Sequence, residues 1–263
     1  MFSGRAKLFF TILLGLLFFL IPANISKAQS DLGENDLSFI VNSNNIFYGV
    51  NAGTGNKELR FRYKQQNRQN VIFFDRYEVN QFVTFGAYTS SGVFILIQDH
   101  IGTNPQDYPS AEEFETLFGS ILFNSSSIFD LEIENIDNTL KIPDSNVIIS
   151  DSSGDFVILH VSNNVIELIQ NDLPYYAITF IHPYAEFHSN FINREGTVNQ
   201  SDLMDAIDKL DESFSIESGF EVLTQFYPAN DRLTSIMISP NNNQLYVSLD
   251  KDAEAIWRFD ING

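Results

Sequence analysis

The chain has 263 residues, with 34 acidic side chains against 15 lysines and arginines, a formal charge of −19 and no cysteine. The absence of thiols excludes disulfides, thiolate metal sites and a cysteine nucleophile. The acidic balance disfavours nucleic acid and anionic membrane surfaces as partners, because both repel it; its plain meaning is a solvated acidic surface that keeps the protein soluble.

Residues 1–28 read as a targeting segment. Arg5 and Lys7 open it, Leu8 to Ile21 form an uncharged apolar stretch that is short for a span, and Ser26-Lys27-Ala28 before Gln29 fits a small-residue cleavage site. The expectation is an exported protein, periplasmic or extracellular, that loses this signal peptide. No cysteine follows the stretch, so a lipid anchor is excluded and no stable membrane anchor is expected after cleavage. An uncleaved anchor is the alternative. Cleavage removes Arg5, Lys7 and Lys27 and no acid, taking the 263 residues to 235 and the charge from −19 to −22. Residues 29–263 then suit one sizeable core and are read as a single domain.

Gln29 to Asp36 is a polar lead-in. Strand patterns follow at Ser38 to Val41 and Ile46 to Val50, and Ala52-Gly53-Thr54-Gly55-Asn56 reads as a break. Leu59-Arg60-Phe61-Arg62-Tyr63-Lys64 alternates apolar and cationic residues, the pattern of a half-exposed strand with a wet cationic face and a guarded edge. An anion-steering patch is the functional alternative for these cations. Val71 to Phe74, Phe82 to Tyr88 and Val93 to Gln98 continue the strands. Ser110 then caps a helix with Glu112 and Glu113 in its first turn and Phe114, Leu117, Phe118, Ile121 and Leu122 at helical spacing.

The centre of the chain, Asn146 to Thr179, reads as four strands in an antiparallel meander. Asp151-Ser152-Ser153-Gly154-Asp155 turns the first pair, and near-continuous apolar runs imply a covering layer on each side. Ile181 to Asn199 reads as irregular; Ser201 caps a second helix carrying Leu203, Met204, Ile207 and Leu210; a third starts at Ser215. Three strands close the chain, at Leu233 to Ile238, Leu245 to Leu249 and Ile256 to Ile261. Composition and periodicity therefore give an α+β class with antiparallel sheets.

Chemical motifs are sparse. No Gly-x-Ser-x-Gly elbow, phosphate loop or His-Glu-x-x-His run occurs, the Asp151 turn lacks the later glutamate of a calcium loop, and His100, His160, His182 and His188 show no ligand spacing. No metal and no other cofactor is expected.

The central turn, with its Asp-x-x-Gly-Asp pattern between two apolar strands, resembles a segment of the linear amide C–N hydrolases, the choloylglycine hydrolase and penicillin acylase group of N-terminal-nucleophile (Ntn) enzymes. Other parts resemble the family in matching order: Ser38 to Asn51 its opening hairpin, Phe85-Gly86-Ala87 through Gly92-Val93 its Gly-x-Asn turn, Tyr176 to Thr179 the strand before a Thr-Asn pair, and Arg232 to Ile236 with Leu245 to Val247 its closing hairpin. The resemblance implies stacked antiparallel sheets flanked by helices, an αββα sandwich. It also implies that the departures fall on the chemistry. The family's nucleophile is a mature N-terminal cysteine, and Ser38 stands near that position. The turn aspartate falls on Gly53, the oxyanion asparagine on Tyr88 or Thr89, the second asparagine on Phe180 and the meander's glutamate on His160; Asn51 and Arg232 match.

Oxyanion donors contribute roughly 3–4 kcal/mol each to the transition state, so a chain without them and without the thiol is expected to be catalytically degenerate. The leading expectation is an exported non-catalytic relative binding a small amide or acyl compound, with Tyr48, Tyr88 and Phe180 lining the old site, although core packing is the common role of such aromatics. One alternative is an active amidase with Ser38 as N-terminal nucleophile and Asn51 and Arg232 positioning substrate, which requires processing after Leu37. Another is an acidic secreted α+β protein acting through its surface.

Overall fold

The structure is a computed structural model that describes residues 37–42, 45–54, 58–78, 80–99, 108–128, 142, 144–162, 165–169, 175–179, 205, 209–210, 214–225, 233–249 and 255–262. Along these residues the chain forms β1 (Leu37–Asn42), β2 (Ile46–Thr54), β3 (Leu59–Gln66), β4 (Gln69–Glu78), β5 (Gln81–Thr89), β6 (Phe94–Asp99), α1 (Ala111–Asn124), β7 (Ser145–Ser150), β8 (Phe156–Ser162), β9 (Val165–Ile169), β10 (Tyr175–Thr179), α2 (Ile216–Gln225), β11 (Leu233–Ser239), β12 (Gln244–Leu249) and β13 (Ile256–Asp260). The expected signal peptide, the stretch at 181–199 expected to be irregular and the start of the helix expected from Ser201 lie outside the described residues.

The strands form two antiparallel sheets, one ordered β10-β1-β2-β11-β12-β13 and the other β3 to β9 in sequence order. Local chemistry sets the turns of the second sheet. Asn67 and Arg68, at φ 51° and 67°, make the two-residue connection of β3 to β4, and glycines supply positive φ at Gly92 and Gly154. Asp151 accepts from the backbone N–H of Ser153 across the β7–β8 turn and from that of Ile128, fixing both the turn and the chain that follows α1.

Contacts across the layers fix how the sheets stack. Tyr48 of β2 stacks on Phe94 of β6 with ring centroids 4.9 Å apart and planes 10° apart. Phe61 of β3 meets Phe259 of β13 at 6.0 Å, and the Tyr88 hydroxyl of β5 donates to Asn243 at 3.3 Å, between β11 and β12. The sheets are therefore broadly aligned, with the hairpin turns at residues 67–68, 90–92, 151–155 and 240–243 gathered at one end.

Each outer face carries a helix. α1 packs on β4 and β5, with Phe114 edge-on to Phe73 at 6.2 Å, and begins in a capping box in which Ser110 and Glu113 bond each other's backbone N–H. α2 packs on β2 and β11, its Phe220 and Leu223 joining Phe39, Phe47, Phe214 and Met237 in a cluster of their own. Gly49 makes room for this cluster, because a Cβ there would enter the Phe39 ring. The four layers match the expected αββα sandwich.

Three expectations are corrected. The fourth strand of the central meander, β10, leaves its neighbours and pairs with β1 in the other sheet, Leu37 opposite Thr179. Local pattern marks a strand, whereas its partner is set by long-range packing. Ala52-Gly53-Thr54 does not break the chain; β2 runs through it to Thr54 and absorbs Ala52 where its register with β11 shifts. On β3 the cations are not a freely solvated row: Arg60 and Arg62 bond Asp75 and Lys64 bonds Glu115, with Arg60 43 % and Lys64 41 % exposed, while Tyr63 on the apolar side is 60 % exposed. The cations on β3 are thus held by carboxylates.

Candidate functional site

The end of the interlayer opposite the hairpin turns holds the polar residues that the apolar core does not explain. Ser38 is the second residue of β1 and shares a face with Ile40, opposite Val50 and Ile178. Because Tyr48, two residues before Val50, projects into the interlayer, alternation along the strands turns Ser38 the same way. It is 2 % exposed, and its Oγ has no hydrogen-bond partner among the described residues. A buried hydroxyl left unpaired costs about 1–3 kcal/mol, and native structures that keep one have a reason to.

The facing sheet supplies a row of polar side chains at the same end. Gln98, Asn146 and His160 sit side by side on β6, β7 and β8, with Gln98 opposite Asn146 and Asn146 opposite His160. Their alternation with Phe94 and Leu96, Ile148, and Phe156 and Ile158 places all three on the interlayer face. Gln98 and Asn146 are buried, and His160 is partly so. Nδ1 of His160 lies 3.0 Å from Asn146 Oδ1. In the tautomer with its proton on Nδ1 the imidazole donates this bond, and Nε2 is then an acceptor nitrogen. In chemical terms this end of the interlayer offers a hydroxyl from one sheet and an oriented imidazole with two carboxamides from the other, a set suited to hydrogen-bonding a neutral polar group.

The other sequence candidates separate from this cluster. Asn51 faces the opposite side of its sheet: its Nδ2 donates to the Leu223 carbonyl of α2 at 3.1 Å, and Ser235 Oγ donates to its Oδ1 at 2.8 Å. It is fully buried with both ends of its carboxamide hydrogen-bonded, a tie between β2, β11 and α2. Tyr48 and Tyr88 lie in the interlayer near the hairpin turns, the far end from Ser38, with the Tyr48 hydroxyl donating to the Asp151 carbonyl. Burial pushes both phenols well above the ordinary tyrosine value. Arg232 and Phe180 lie outside the described residues.

Sequence reasoning missed Gln98 and Asn146, and weighed His160 for metal spacing and as the place of the family's glutamate. The signal available was period two: each stands two positions from an interlayer aliphatic on a strand whose other residues are mostly apolar. Two further charged groups have structural explanations. Asp75 is buried beneath Arg60, Arg62 and Thr84 on the α1 side, and Arg76 pairs with Glu78 at 2.6 Å while packing against the rings of Phe85 and Tyr108. Among the described residues no group of three His, Cys, Asp or Glu could hold a metal, and no helix is long and apolar enough to cross a membrane.

The sequence matches no known protein family and no curated protein. The fold does have relatives among solved structures. Two variants of a conjugated bile acid hydrolase from Clostridium perfringens superpose with TM-scores of 0.55 and 0.56 at 10 % identity, over 86 % of this chain and 92 % of theirs. A penicillin V acylase from Agrobacterium tumefaciens superposes with a TM-score of 0.54 at 10 % identity, over 86 % of each chain. Identity this low establishes the shared architecture, the αββα sandwich of Ntn hydrolases, and leaves the chemistry to be argued from this chain's own residues.

Proposed function

We propose that the chain is an exported, catalytically degenerate relative of the linear amide C–N hydrolases that binds a small amide or N-acyl compound at the Ser38 end of its interlayer. One observation carries this reading: a buried hydroxyl near the start of β1, without a hydrogen-bond partner among the described residues, at the same end of the interlayer as the His160–Asn146 pair, in a fold shared with amide hydrolases. A neutral amide is the fitting ligand class, since it both accepts and donates, as Ser38, His160 and the two carboxamides do. Degeneracy follows from the composition. No cysteine is present anywhere in the chain, and Asn51, the family-matching residue among those described, is bonded to α2.

The test combines intact mass of the exported protein with an N-acyl amide panel read by both hydrolysis and thermal shift, in wild type, Ser38→Ala and His160→Ala. The expected result is a chain starting at Gln29, no turnover that depends on Ser38, and a ligand-induced shift weakened by either substitution. A second reading, an active serine amidase, draws on the same buried hydroxyl. A chain starting at Ser38 whose hydrolysis is abolished by Ser38→Ala would replace the first reading with this one. Neither turnover nor a shift would overturn both, leaving a surface role.

A further inference from the structure

We propose that β13 is a dimerisation edge, pairing antiparallel with β13 of a second copy about a two-fold axis so that the six-stranded sheet continues through the dimer. The inference is independent of any reaction or ligand at Ser38.

The two sheets end side by side at β13 and β3, and the two edges differ in kind. The β3 edge carries Arg60, Arg62 and Lys64, the charged decoration that keeps edge strands from pairing. β13 reads Ile256-Trp257-Arg258-Phe259-Asp260, and from Trp257 onward every residue is exposed. Trp257 is 48 % and Phe259 43 % exposed, on one face of the strand, and Phe259 meets Phe61 of β3, two residues from Tyr63, which is 60 % exposed. Among the described residues no strand pairs with the open edge of β13, and a strand that exposes large aromatics beside such an edge is built to be covered.

Charge selects both the occupant and the register. The Ile261 N–H bonds the Asn243 carbonyl at 3.0 Å, on the β12 side. Backbone groups alternate direction along a strand, so those of Arg258 and Asp260 face the open edge. An antiparallel pairing centred on Phe259 sets Phe259 against its own copy and places Arg258 opposite the second copy's Asp260, twice by symmetry. Centring on Arg258 instead would oppose two like charges, and a parallel in-register pairing would do so at both charged positions. The strand is thus complementary to itself in one antiparallel register, as an isologous dimer requires.

Sedimentation velocity across a dilution series tests this at about 0.15 M salt, where a Debye length of about 8 Å screens the long-range repulsion between two acidic molecules. The wild type is expected to sediment as a dimer that dissociates on dilution. Arg258→Asp or Asp260→Arg alone puts like charges at both crossings and is expected to weaken association by about tenfold or more. The double variant Arg258→Asp with Asp260→Arg restores opposite pairs and is expected to restore the dimer. Trp257 is the sole tryptophan, so its acrylamide quenching is expected to fall as concentration rises in the wild type and in the double variant. Circular dichroism of each variant separates misfolding from dissociation. A wild type that is monomeric throughout, a dimer indifferent to the single reversals, or a folded double variant that stays monomeric would each overturn the proposal.

Discussion

Tyr48 carries its hydroxyl through the interlayer to the Asp151 carbonyl, and Tyr88 reaches Asn243. Burial is the main cause that raises both phenols above their ordinary value of about 10, so the folded state holds them neutral. Their contribution to stability is therefore fully present below pH 10 and is lost as pH climbs above it, because the unfolded chain ionises first. A pH titration of tyrosinate absorbance should show the exposed tyrosines ionising smoothly near pH 10, with a cooperative step above it that coincides with the loss of far-ultraviolet circular dichroism. In Tyr48→Phe/Tyr88→Phe that step should shrink; an unchanged amplitude would mean these phenols ionise in place. At this scale the sequence was an uneven guide. Ser38 was singled out by the family resemblance and proves to be a buried hydroxyl, and Gln98, Asn146 and His160 each look ordinary until the register sets them in a row. Asn51 shows the converse, since a matching motif says nothing about which face of the strand it occupies.

Helices and their caps were the most legible elements, because their signals are local. Ser110 and Glu113 sit three apart before an apolar run, and the capping box forms as that spacing demands. The Ser215 start of α2 was equally plain, with the Ser218 hydroxyl and backbone N–H each within bonding distance of Ser215. How α2 is held to its sheet was not legible. Asn51 bridges the Leu223 carbonyl and the Ser235 hydroxyl, and Asn51→Ala would strand both in a buried setting. The expected cost is about 2–3 kcal/mol, read as a lower urea midpoint with an unchanged slope. Binding of an N-acyl amide by the folded fraction should not change. Unaltered stability together with lost binding would return Asn51 to the ligand site. Strand partners fail for the same physical reason: β10 is a good strand by composition, yet its pairing with β1 joins residues about 140 positions apart, where loop closure rather than local preference sets the outcome.

For the whole molecule, layer number followed from the sequence more directly than layer composition. Apolar runs such as Val147-Ile148-Ile149 and Phe156 to Leu159 are too continuous for a one-sided sheet, and both faces of β7 and β8 are indeed buried. Which strands formed which sheet needed the three-dimensional structure. The charge acts at this scale too. With −19 on the whole chain, or −22 without residues 1–28, the folded state gathers mutual repulsion that the expanded chain relieves. Salt should then stabilise the fold. Local ion pairs oppose this trend weakly: Arg76 and Glu78 are both buried and little screened, Asp75 is buried beneath arginines that stay partly exposed, and the exposed Lys64–Glu115 pair contributes less than about 1 kcal/mol. Raising sodium chloride from about 0.02 to 0.2 M shortens the Debye length from roughly 20 Å to roughly 7 Å, below the spacing of most surface acids. The thermal midpoint is therefore expected to rise by a few degrees, most of it at the low-salt end, in a dimerisation-deficient variant such as Arg258→Asp so that association does not contribute. A midpoint that falls with salt would mean that local ion pairs, and not the net charge, dominate the electrostatics of this fold.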